Sequence, residues 1–249
     1  METAQVGSAP RTSVPQFSPA DRLIVALDLP SATAATDLVD ELQGVCRWFK
    51  VGMELYYAAG NSIVTHLRDR GFDVFLDLKL HDIPNTVAGA VRTVSSSGAS
   101  LLTVHAAGGE RMLRAAVGAA TRPESPRLLA VTVLTSMSAA DLNSTGVSDS
   151  PSSQVVRLAK LARSCGVAGL VCSPQEVAAV RQVVGEDTLL VVPGVRPVGT
   201  EGSDDQARVA TPADAIAAGA NMLVVGRPIT QAADPAKAAA AILAEIAGV

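Results

Sequence analysis

Aromatic side chains are scarce in this chain: one Trp, two Tyr and four Phe make up 3% of its 249 residues. Any core must therefore be aliphatic, and with 48% apolar residues there is ample material for one, which excludes a largely disordered or fibrous chain. Basic charge is also thinly spread. Twenty Lys and Arg stand against 24 Asp and Glu, giving a net charge of −4 and a pI near 5.4. No stretch gathers the basic residues into a dense block, so nucleic-acid binding is not expected, although two or three local donors could still hold a small anion. Only three cysteines occur, Cys46, Cys165 and Cys172, and their spacing matches neither CxxC nor a metal-ligand pattern. They read as small buried hydrophobes in a reducing, cytoplasmic compartment. The first 20 residues lack the apolar stretch of a secretory signal, and no run approaches the roughly 18 apolar residues of a membrane span, so no membrane partner is expected.

Residues 1–20 are rich in Ser, Pro and Ala without a period, and read as a flexible extension. Beyond them the pattern is regular. Short aliphatic runs at 23–28, 48–51, 73–79, 101–105, 128–134, 169–172, 189–192 and 223–226 are apolar nearly throughout, as strands buried on both faces should be. Ala-rich segments of helical spacing lie between them. Ser31 can cap the first, Ser173 or Pro174 opens another, Thr211-Pro212 supplies a cap followed by proline, and the last runs from Pro235 to Gly248. Eight strand–helix alternations without a composition break point to an α/β fold, a single-domain (β/α)8 TIM barrel over 21–249. A doubly wound sheet is the rival, but no GxGxxG follows the first strand. The polar stretch 137–154 is the longest connection and reads as an insertion after strand five.

In such a barrel, chemistry sits where strands end and the following loops begin. Asp28 closes strand one, Lys50 lies in strand two, and Asp77 and Lys79 close strand three. His105 closes strand four, Thr135-Ser136 follow strand five, Pro193-Gly194 follow strand seven and Gly226-Arg227 follow strand eight. Polar groups thus collect at one rim. Asp77 and Lys79, two apart, share a strand face and point into the mouth, while Leu76, Leu78 and Leu80 turn toward the helices. Asp82 follows at the start of the loop, and Pro84 can open the next helix. A buried ion pair closing the barrel would account for one such couple. Lys50, Asp77, Lys79 and Asp82 make an array that alternates in sign, which is more than a plug needs. Flanking carboxylates favour a charged ammonium at Lys79, which suits proton donation rather than Schiff-base chemistry.

The segment VFLDLKLHDIPNTV at 74–87 resembles the signature of the orotidine 5'-monophosphate decarboxylase family, with its D-x-K-x-x-D core, Ile83-Pro84 and Thr86 intact. VALD at 25–28, FKVGMELYYAAG at 49–60, VHAAGG at 104–109 and VTVLTSM at 131–137 agree in order, as do PGVRP at 193–197, DQARVATP at 205–212 and VVGRPIT at 224–230. The resemblance spans about 22–247. It implies a lyase that converts orotidine 5'-monophosphate to UMP and carbon dioxide without metal or other cofactor, in the last step of de novo pyrimidine synthesis. By resemblance, Lys79 protonates C6, Asp77 lies beside the departing carboxylate, and Asp28 and Lys50 bind the ribose hydroxyls. Asp82, Ile83 and Thr86 reach across a homodimer into the partner's site. Thr135 and Ser136 read the pyrimidine, and Arg196, Gln206, Gly226 and Arg227 hold the phosphate, with Pro193 in the same substrate-binding set. Gln206 is aligned through its Asp-Gln pair, because the loop after Arg196 is about a residue longer than in common bacterial relatives.

The phosphate site also follows from the residues alone, since glycine-containing loops after strands seven and eight are the usual phosphate cradle of this barrel. The 195–206 segment reads as either a lid or a solvent loop. His105 is expected to be a hydrogen-bonded structural residue, His81 to face outward near an interface, and Trp48, Tyr56 and Tyr57 to serve packing. Two rivals stay open: another lyase or aldolase of the same barrel group acting on a sugar phosphate, and a phosphate-nucleotide binder without chemistry.

Overall fold

The computed structural model describes residues 17–197 and 210–249. Eight parallel strands close into a barrel in sequence order: β1 (Leu23–Ala26), β2 (Trp48–Gly52), β3 (Asp73–Leu80), β4 (Leu101–His105), β5 (Arg127–Val131), β6 (Gly169–Val171), β7 (Leu189–Pro193) and β8 (Met222–Val225). The helices are α1 (Ala32–Glu41), α2 (Met53–Ala59), α3 (Ser62–Asp69), α4 (Pro84–Ser95), α5 (Gly109–Ala119) and α6 (Ala139–Ser144), followed by α7 (Pro151–Ser164), α8 (Val177–Val184), α9 (Pro212–Ala217), α10 (Arg227–Thr230) and α11 (Pro235–Ala247). All eight expected strands are present. β1 and β5 end earlier than the apolar runs suggest: beyond them Asp28, Val133 and Leu134 turn into the wall of the rim.

Alternation along each strand divides the core in two. Ile24, Ala26, Phe75, Leu101, Leu129, Leu189, Val191, Met222 and Val224 fill the barrel, while Leu23, Val25, Phe49, Val51, Val74 and Leu76 pack outward against the helices. Burying each such side chain stabilises by about 1.5–3 kcal/mol, and this double burial is why the strands read as unbroken apolar runs. Ser31 and Thr211 cap α1 and α9 through the hydrogen bonds their hydroxyls accept, as the sequence suggests. The polar 137–154 stretch is not a plain connection. Ser138 and Asp141 form a reciprocal capping box that starts α6, and Ser150-Pro151 start α7.

The end of the barrel opposite the rim is held by structural arginines. Arg68 binds Asp73 Oδ1 at 2.6 Å and the Phe72 carbonyl at 2.8 Å, joining α3 to the start of β3. Arg181 is buried and donates to the carbonyls of Gly185, Thr188 and Gly219 and to Asn221 Oδ1, tying α8 to the starts of β7 and β8. Residues 1–16, most of the expected extension, lie outside the described residues. Phe17 packs against the barrel interior and Pro19–Arg22 form one 3-10 turn.

Candidate active site

The rim carries a line of charges that alternate in sign across β1, β2 and β3. Lys50 Nζ lies 2.6 Å from Asp28 Oδ1 and 3.8 Å from Asp77 Oδ2, and Lys79 Nζ lies 2.8 Å from that same Asp77 oxygen. Lys50 and Asp77 are almost wholly buried, with 10% and 12% of their side chains exposed, whereas Lys79 retains 30% and Asp28 57%. Two ammonium groups and two carboxylates therefore neutralise one another where an unpaired ion would cost several kcal/mol. Gly52 makes this approach possible. A Cβ there would fall 2.7 Å from Asp28 Oδ1 and 2.9 Å from Lys50 Nζ.

Asp77 and Lys79 do share the mouth, but plain strand alternation is not what brings them there. Leu76 pairs with Leu102 and Leu80 with Val104, so four residues of β3 advance against two of β4. Within this irregularity Lys79 has φ 50, the one positive value of a non-glycine residue among the described residues. Such a backbone costs of order 1–3 kcal/mol and persists where its surroundings enforce it. Thr103 on β4, fully buried, provides that enforcement: it accepts the Lys79 N–H at 2.8 Å and donates to Asp77 Oδ1 at 3.0 Å. The sequence reading missed Thr103 and Gly52. The inward register of Thr103, two residues before His105, and the place of Gly52 at the end of β2 were the available signals.

A cavity of about 520 Å³ opens above this array. Asp28, Lys50, Asp77 and Lys79 line one side, and Pro193, Arg196, Gly226 and Arg227 line the side formed by the loops after β7 and β8. Thr135 joins the wall after β5, while Phe75, Val131 and Val171 give an apolar floor. The Arg196 backbone N–H is fixed to the Ala210 carbonyl at 2.9 Å. Ser136 does not reach the cavity wall; it is exposed in the turn closed by Met137 N–H and the Leu134 carbonyl. Asp82, Ile83 and Thr86 are also absent from the wall of their own barrel and lie exposed at the start of α4, with Ile83 67% accessible. Gln206, and with it most of the 195–206 segment, is outside the described residues.

Two expectations about flanking residues need correction. Among the described residues His105 has no side-chain hydrogen bond and its buried Nδ1 no partner; its ring stacks on exposed His81 with centroids 5.2 Å apart. Burial first, then the charges of His81 and Lys79, hold the His105 imidazole below its ordinary value. Trp48 does pack against the barrel interior, though its buried Nε1 has no partner among the described residues, and Tyr56 packs half-buried against the outer core. Tyr57 does not pack; it is 82% exposed. All three cysteines are buried, and burial pushes the Cys46 thiol up to about 12. Among the described residues no group of three or more His, Cys, Asp or Glu converges to hold a metal ion, and no helix is long and apolar enough to cross a membrane.

A closed parallel barrel with an alternating charge array on β1–β3, facing two arginines on the loops after β7 and β8, defines a (β/α)8 barrel protein whose rim is arranged to hold a small anionic molecule. Comparison with known proteins narrows that class. A family model described as "Orotidine 5'-phosphate decarboxylase / HUMPS family" matches residues 21–242, and the chain belongs to that family. A relative named orotidine 5'-phosphate decarboxylase from Anaeromyxobacter dehalogenans is 55% identical over 228 residues, 92% of this chain and 99% of that protein. One of the same name from Cutibacterium acnes is 52% identical, covering 89% of this chain and 94% of its own. The crystal structure of orotidine 5'-phosphate decarboxylase from Lactobacillus acidophilus superposes with a TM-score of 0.80 at 39% identity, covering 91% of this chain and 99% of that one.

Proposed function

We propose that this chain decarboxylates orotidine 5'-monophosphate to UMP and carbon dioxide, the last step of de novo pyrimidine nucleotide synthesis, as a cytoplasmic enzyme. Family membership and the names of relatives above 50% identity support the activity. The observation that carries the mechanism is the Lys79 ammonium, 2.8 Å from Asp77 and lining the same cavity as Arg227. The family match over 21–242 supports one catalytic domain at 21–249, with 1–20 as an extension.

In the reaction the bond between C6 and the carboxylate carbon breaks, carbon dioxide leaves, and the electron pair stays on C6. No carbonyl adjacent to that carbon delocalises the pair, so the protein must stabilise it electrostatically. Lys79 does so as a fixed cation and then transfers an Nζ proton to C6; a solvent proton restores the ammonium. Asp77 sits beside the substrate carboxylate and favours its departure. Asp28 and Lys50 hold the ribose hydroxyls, Thr135 reads the pyrimidine edge, and Pro193 closes the wall. Arg196, Gly226 and Arg227, with Gln206, bind the phosphate. Energy from this remote contact lowers the barrier at the ring, because it is realised as the site closes around the transition state. Lys79 supplies the proton and the charge, so the reading assigns no metal or other cofactor.

The functional unit is a homodimer in which Asp82, Ile83 and Thr86 enter the neighbouring subunit's site. Their exposure at the start of α4 supports this, as does the exposure of Met53 and Tyr57 just after the neighbouring strand β2. Mixing Lys79→Ala with Asp82→Ala subunits tests it. Either variant alone should be inactive, and the mixture should recover about a quarter of wild-type turnover once subunits exchange at random, since one hybrid site has both residues intact. No recovery after verified exchange would count against shared sites.

A further inference from the structure

We propose that Thr103 is the positioning residue of this site, fixing both the ammonium that delivers the proton and the carboxylate beside it through one hydroxyl group. The inference rests on the reading of Lys79 as proton donor. Thr103 is fully buried on β4 and is not among the residues lining the cavity, so it acts through Asp77 and Lys79, which are. Its Oγ1 carries one proton. Asp77 Oδ1, 3.0 Å away, can only accept, and the Lys79 backbone N–H, 2.8 Å away, can only donate. A single orientation of the hydroxyl satisfies both.

Each contact fills a need that nothing else among the described residues meets. Asp77 directs Oδ2 toward the ammonium groups, 2.8 Å from Lys79 Nζ and 3.8 Å from Lys50 Nζ. Its Oδ1 has the Thr103 hydroxyl as its hydrogen-bond donor, so that bond sets the rotation of the carboxylate. The slipped register of β3 against β4 leaves Lys79 N–H without a regular ladder partner, and φ 50 makes its conformation one that L residues seldom adopt. The Thr103 oxygen substitutes for the missing carbonyl. Valine has the same shape but offers neither a donor nor an acceptor, so it frees the carboxylate to rotate and the Lys79 backbone to relax. The ammonium then leaves its place by a fraction of an ångström while the phosphate, ribose and pyrimidine contacts stay intact.

The test compares full-length Thr103→Val, Thr103→Ser and Lys79→Ala, measuring kcat and KM with orotidine 5'-monophosphate and Kd for UMP. Thr103→Val should lower kcat about 10- to 100-fold, the worth of a hydrogen bond to a charged group, with KM and UMP affinity held within about threefold. Thr103→Ser, which keeps the hydroxyl, should restore most of kcat. Wild-type kcat in Thr103→Val would overturn the inference, as would equal losses in the valine and serine variants or a parallel loss of UMP affinity. Should Thr103→Val fail to fold, Thr103→Ala against Thr103→Ser makes the same comparison. An inactive Lys79→Ala beside a fully active Thr103→Val refutes the positioning role alone, whereas an active Lys79→Ala refutes the reading beneath it.

Discussion

Gly52→Ala should leave the fold intact, or firmer, and still damage the enzyme. Gly52 has φ −87 and ψ −179, extended backbone open to any residue, so alanine brings no backbone strain. At such a position the loss of glycine's freedom in the unfolded chain stabilises by about 0.4–1 kcal/mol. The added Cβ would instead meet the far ends of two side chains, at 2.7 Å from Asp28 Oδ1 and 2.9 Å from Lys50 Nζ, and the 2.6 Å bond between them cannot persist with a methyl group so placed. Asp28 is more than half exposed and can swing into water, so little folding energy is lost. What is lost is the geometry proposed to hold the ribose. A charge-assisted hydrogen bond is worth about 1.5–3 kcal/mol, so kcat/KM should fall about 10- to 100-fold. Turnover is followed by the loss of orotate's ultraviolet absorption, and stability by thermal melting. Wild-type kcat/KM would refute the reasoning, and so would a Tm several degrees lower, which would mean that the new methyl group meets rigid backbone rather than movable side-chain ends.

Arg227→Ala should cut kcat/KM for the nucleotide by about 100-fold or more, as loss of a bidentate phosphate contact does, and barely change the slow decarboxylation of orotidine itself. Equal losses on both substrates would refute its phosphate role. His105 has its proton affinity lowered by burial, His81 and Lys79, so the unfolded chain takes up a proton near pH 6.5 that the folded chain resists. Stability from the neutral ring is therefore complete above about pH 6.5 and is lost as the pH falls from there toward the lower folded value. Thermal melts between about pH 7.5 and 5 should show Tm declining more steeply in the wild type than in His105→Asn, and parallel declines would refute that assignment.

The barrel was legible because double burial turns each strand into an aliphatic run and leaves charge near its ends, with Asp28, Lys50, Asp77 and Lys79 collected at the rim. Parity along β3 pointed Asp77 and Lys79 into the mouth. It could not reveal the slip between Leu76 and Leu80, because register is fixed by the neighbouring strand, nor therefore the left-handed backbone at Lys79. Thr103 escaped for a related reason: a threonine in a β-branched run looks like packing until its distance to Asp77 is known. Helix α6 was hidden in a polar stretch, although the Ser138–Asp141 spacing of a capping box was there to be read. The stacking of His81 on His105 depends on two segments far apart in the chain meeting, which local spacing does not encode.

The central claim is that one ammonium group does the chemistry. Lys79→Ala, assayed with orotidine 5'-monophosphate alongside circular dichroism and UMP binding, tests it most directly. The account predicts a native fold, UMP still bound, and turnover lower by at least about 1,000-fold, within the range expected for a lost general acid that also carried the stabilising charge. Turnover within a few-fold of the wild type, in a variant that folds and binds UMP normally, would contradict it.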